Sequence, residues 1–69
     1  LQKLTISGFK SLSIPELPKK LKELNIISFD FLKIIKNLPK SIEKLYIEKC
    51  YSLTSISISE VNLKKLYIL

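Results

Sequence analysis

Histidine, arginine, methionine and tryptophan are missing from this 69-residue chain, and glycine and cysteine occur once each. Each absence removes a class of chemistry. Without histidine there is no imidazole for a Ser-His-Asp triad or for general-base work near neutrality. One cysteine, Cys50, excludes an internal disulfide, and with no histidine it leaves too few ligands for a zinc site. One glycine cannot build a phosphate-cradling loop. No apolar run reaches the roughly 18 residues of a membrane span. No charged segment precedes an apolar stretch at the start, so a signal peptide is not expected. Nor does the chain begin with Met, so it reads as an excised or ordered piece of something longer. The absence of a signal peptide and of any internal disulfide favours an intracellular setting, with secretion into a host cell as the variant. The carboxylates Glu16, Glu23, Asp30, Glu43, Glu48 and Glu60 lack the spacing of a calcium loop. The expectation is therefore no metal, no cofactor and no enzymatic activity, with Cys50 as a structural residue.

What is present is lysine and aliphatic side chains. Lysines number 12 against six acids, a formal charge of +6. They are spread along the chain rather than gathered in a block, which is the pattern of a solvated surface. Arginine, the preferred residue for bidentate phosphate and guanine contacts, is absent. Hydrophobic residues make up 46%, enough to exclude disorder. A chain this short buries only about 60% of its unfolded surface, so a lone core is marginal.

The aliphatic residues recur at fixed offsets. The chain divides into rows 1–20, 21–41 and 42–62 and a partial row 63–69. Position 1 of each row is Leu1, Leu21, Ile42 and Leu63. Position 4 is Leu4, Leu24, Leu45 and Leu66. Position 6 is Ile6, Ile26, Ile47 and Ile68. Position 9 holds Phe9, Phe29 and Cys50, position 12 holds Leu12, Leu32 and Leu53, and Ile14, Ile35 and Ile56 follow. The first two rows then share Leu17-Pro18 and Leu38-Pro39.

This spacing resembles the L-x-x-L-x-L-x-x-N/C-x-L pattern of leucine-rich repeats. The phrases LPKKLKELNI and LPKSIEKLYI resemble the short repeats of bacterial effectors that act inside host cells. The phrase IEKCYSLTSI resembles repeats of plant intracellular immune receptors. The resemblance implies an α/β-type solenoid with a curved parallel sheet of about four strands, extended or 3₁₀ returns and little regular helix. It also implies a binding scaffold. Position 9, which in the family carries Asn or Cys, is here Phe, Phe and Cys, so an apolar stack is expected in place of a polar ladder.

The residues support the same shape independently. Positions 3 to 7 alternate at period two, the mark of a half-buried strand. Pro15, Pro18 and Pro39 bar helix and central strand from the returns. Leu12, Ile14, Leu17, Leu32, Ile35 and Leu38 are expected to face the core from there, and Gly8 to serve a turn with its conformational freedom. A repeat buries its apolar face only by stacking on neighbours. Leu1, Leu4 and Ile6 at one end, and Leu66, Ile68 and Leu69 at the other, would be open, so flanking repeats or another chain are expected to cover them.

The outward columns supply the candidate site. Position 3 reads Lys3, Glu23, Lys44, Lys65. Position 5 reads Thr5, Asn25, Tyr46, Tyr67. Position 7 reads Ser7, Ile27, Glu48, Leu69. Stacked parallel strands put Tyr46 beside Tyr67, with Lys44 and Lys65 flanking them; Asn25, Ile27 and Glu48 complete the set. Exposed tyrosines on a rigid sheet are common interface anchors, although Tyr suits strands whatever its role. Three readings follow: a scaffold binding a protein partner on the concave face, a lysine-rich surface docking to nucleic acid or anionic membrane, and purely structural spacer repeats.

Overall fold

The computed structural model describes residues 2–58 and 61–69. Leu1 and Glu60 lie outside the described residues, so the expectations placed on them are not addressed. The chain forms a parallel β-solenoid of about three turns. Strands β1 (Lys3–Ser7), β2 (Glu23–Ile27), β4 (Lys44–Glu48) and β6 (Lys65–Ile68) make one sheet in the order β1-β2-β4-β6, all parallel. On the return side, β3 (Ile34–Ile35) pairs in parallel with β5 (Ser55–Ile56). There is no helix and no 3₁₀ turn among the described residues, and the returns carry the short strands β3 and β5 among turns and irregular segments.

The register is the one the columns require. Leu4, Leu24, Leu45 and Leu66 stand side by side, as do Ile6, Ile26, Ile47 and Ile68. These side chains point inward and the intervening positions outward, because successive residues of a strand face opposite sides. In β2 and β4 the inward residues are buried and the outward ones half-buried. A slip of one residue would turn every inward leucine and isoleucine to solvent, so the core itself holds the register.

The repeated backbone bonds show the same periodicity. The Gln2 carbonyl accepts from the N–H groups of Lys22 and Glu23. The Lys22 carbonyl accepts from Glu43 and Lys44, and that of Glu43 from Lys64 and Lys65. Each Leu-Pro phrase opens a turn: Leu21 N–H donates to the Pro18 carbonyl, and Ile42 N–H to that of Pro39. The Ser41 hydroxyl reaches the Lys19 and Leu21 carbonyls at 2.9 and 2.6 Å, fastening the second turn to the first.

The core lies between sheet and returns, and consists of Leu17, Leu21, Leu24, Ile26, Phe29, Leu32, Ile35, Leu38, Ile42, Leu45 and Ile47. Ile14 packs partly against it. Leu12 does not follow its column: it is 76% exposed, whereas its counterpart Leu32 is fully buried. The first return is one residue shorter between Leu12 and Ile14 than the second between Leu32 and Ile35. The expected stack at position 9 also forms only in part. Phe29 is buried, but Phe9 is exposed and meets Phe31 edge-to-face at 5.9 Å instead. Cys50 is half-buried, its thiol 3.8 Å from the Ile26 carbonyl and 3.6 Å from that of Glu48. That corner therefore mixes one buried ring with a weak polar contact.

Gly8 corrects a further expectation. Its backbone is not left-handed; among the described residues Ser28, Asn37 and Lys49 are. What Gly8 contributes is the lack of a Cβ, which would stand 2.9 Å from Phe29 Cε2 and 2.8 Å from Ser11 Oγ. Ser28 and Lys49 occupy the same place in their rows, just past the strand, with φ of 59° and 56°. There each N–H donates to the neighbouring coil, Ser28 to Glu48 O at 2.9 Å and Lys49 to Leu69 O at 3.4 Å. An L-residue in this conformation costs roughly 1–2 kcal/mol, while glycine loses roughly 0.5–1 kcal/mol in extra chain entropy. Ser28→Gly and Lys49→Gly are each expected to stabilise by up to about 1 kcal/mol, read from urea midpoints. Asn37→Gly should change less, because asparagine tolerates the region. A loss of stability on Ser28→Gly would contradict the assignment.

Candidate outward-face binding site

The residues proposed from the columns lie on the outward face of β2, β4 and β6 or directly beside it. Glu23 stands opposite Lys44, which stands opposite Lys65; Asn25 is opposite Tyr46, which is opposite Tyr67; Ile27 is opposite Glu48. The tyrosine rings stack face to face, with centroids 4.7 Å apart and planes 5° from parallel. Tyr67 is exposed and Tyr46 half-buried, so the stacked pair is open to solvent mainly on the β6 side. Parallel strands repeat about every 4.8 Å, which sets this ring spacing directly.

Charge is distributed unevenly around the pair. Lys44 reaches Glu23 Oε1 at 3.5 Å, so half of the basic flank is already engaged. Lys65 makes no ion pair among the described residues and lies directly across from Lys44. Like charges opposite one another in a sheet are unfavourable, and an anionic group between them would relieve that. Asn25 Oδ1 is covered and has no hydrogen-bond partner among the described residues. Ile27 and Glu48 are half-buried in the third column.

Two features went unread in the sequence. Position 2 forms its own ion ladder, with Lys22 Nζ 3.6 Å from Glu43 Oε2 and Lys64 Nζ 3.7 Å from Glu43 Oε1. Reading the column Gln2, Lys22, Glu43, Lys64 would have shown it. Exposed pairs of this kind contribute about 0–1 kcal/mol each, so the ladder biases register more than it stabilises. The second is a cleft between the first two returns, signalled only by the difference between a 20- and a 21-residue row.

Among the described residues no cluster of three His, Cys, Asp or Glu side chains is arranged to hold a metal ion, and no helix is long and apolar enough to cross a membrane. Compared with protein-family models, curated proteins and solved structures, the chain finds no significant match in any of the three.

Proposed function

We propose that this chain is a stretch of a leucine-rich repeat protein and acts as a protein-interaction scaffold, binding a partner on the outward face of its four-stranded sheet. The observation that carries the reading is the stacked Tyr46–Tyr67 pair beside Lys44 and Lys65. Two rings already held against each other on a hydrogen-bonded sheet lose little freedom when a partner covers them, so more of their contact area becomes affinity. Arg, Tyr and Trp dominate interface hot spots, and of these only tyrosine is available here. The leucine-rich assignment is supported by the in-register leucine and isoleucine columns and by returns that hold no helix among the described residues. The mechanism is complementarity of shape and side chain, without a chemical step.

Affinity capture with wild type and Tyr46→Ala/Tyr67→Ala, at low and high salt, tests this. A protein partner should be retained at high salt. The double substitution should weaken its binding by about thirtyfold or more, the scale of two interface anchors. Circular dichroism should show the fold intact. Capture that ignores the tyrosines and disappears with salt would instead establish the electrostatic alternative, in which lysines dock the chain on nucleic acid or anionic lipid.

A further inference from the structure

The returns of coils two and three are zipped together, and those of coils one and two are not. Thr54 and Ser55 donate to the Lys33 carbonyl and Ser57 donates to that of Ile35, completing the β3–β5 ladder. No backbone hydrogen bond joins residues 12–17 to residues 33–37. The cause is in the spacing: Leu12 and Ile14 are separated by one residue, whereas Leu32 and Ile35, and Leu53 and Ile56, are separated by two. The first return lacks the residue that would bring it alongside β3.

That mismatch leaves an unpaired strand edge. In a parallel ladder the N–H and C=O of successive residues point to opposite sides. Lys33 and Ile35 offer their carbonyls to coil three, so Ile34 offers its N–H and C=O toward coil one. There a cleft of ≈ 790 Å³ opens between the two returns. Its apolar walls include Leu12 and Ile34, which are 76% and 48% exposed. Lys19, Lys33 and Lys36 line it against a single acid, Glu16. None of the three lysines has an ion-pair partner among the described residues.

We propose that this cleft is a second docking site, which takes an extended acidic peptide as an added strand on the free edge of β3. An extended chain supplies the backbone groups that Ile34 lacks, the mode by which peptides join exposed sheet edges. Alternating side chains would set aliphatic groups against Leu12 and Ile34 and carboxylates toward the lysines. The charge balance selects against a second copy of this chain, which carries +6. The site is separate from the tyrosine face and does not depend on it.

The test titrates the chain with a fluorescein-labelled Asp-Val-Glu-Val-Asp-Val-Glu peptide, read by anisotropy, and follows the Ile34 amide by NMR. Its Lys-Val-Lys-Val-Lys-Val-Lys counterpart and oligothymidylate serve as comparisons. The acidic peptide should bind at least about tenfold tighter than either and shift the Ile34 amide. Lys33→Glu/Lys36→Glu, both at exposed positions, should lower its affinity at least about tenfold. One serine inserted between Ser13 and Ile14 restores the two-residue spacing and should close the edge with the same loss. Tyr46→Ala/Tyr67→Ala should leave binding unchanged. Equal binding of oligothymidylate, binding that survives Lys33→Glu/Lys36→Glu, or an unmoved Ile34 amide would overturn the proposal.

Discussion

Leu45→Ala is expected to cost about 2–5 kcal/mol, the range for truncating a buried leucine, while Leu66→Ala in the same column should cost about 1 kcal/mol. The four leucines of this column differ only in what covers them. Leu24 and Leu45 are fully buried between neighbouring coils, Leu4 is half-buried, and Leu66 is 42% exposed. Removing Leu45 leaves a cavity walled by Leu24 on one strand and Leu66 on the other, and a hydrogen-bonded sheet cannot collapse to fill it. Removing Leu66 opens onto solvent, so the transfer loss is partial and no enclosed void remains. A chain of this size has roughly 3–10 kcal/mol in total, so Leu45→Ala takes a large share of it. Urea unfolding of the four single variants gives the profile directly. Equal losses along the column would mean that the coils do not stack as described.

The same contrast between inner and outer coils explains which expectations were readable in the residues. Periodicity reports which side of a strand is apolar, and the pairing of Leu24 with Leu45 or Tyr46 with Tyr67 follows once rows are aligned. All four long strands, their order and the outward columns were therefore accessible. The fates of Leu12 and Phe9 were not, because periodicity reports which positions recur and not which coil encloses them. The one-residue deficit before Ile14 opens the cleft beside β3. Gly8 departs from expectation for a different reason. Glycine has two uses, freedom of φ and absence of a side chain, and only the approach of Phe29 distinguishes them. At the candidate site the sequence foretold the neighbours but not the stacking angle, nor that Lys44 is engaged by Glu23 while Lys65 is not.

Phe29→Ala is expected to be the most damaging single truncation, at about 3–5 kcal/mol. Phe29 is the largest of the side chains that are almost wholly buried, and it fills the corner where the chain leaves the strands. A Cβ at position 8 would stand only 2.9 Å from its Cε2. Gly8→Ala should therefore cost about 1–3 kcal/mol by overpacking, since a buried ring cannot swing aside. The Ser11 hydroxyl, also close to that point, is on an exposed residue and can rotate away. In a Phe29→Leu background the shorter side chain withdraws from Gly8, and Gly8→Ala should lose at least half of its cost. The double-mutant cycle reads this coupling, and residues in contact are where additivity fails. If the two changes add to within about 0.5 kcal/mol, the close approach of Phe29 is not what reserves position 8 for glycine, and crowding against Ser11 becomes the better account.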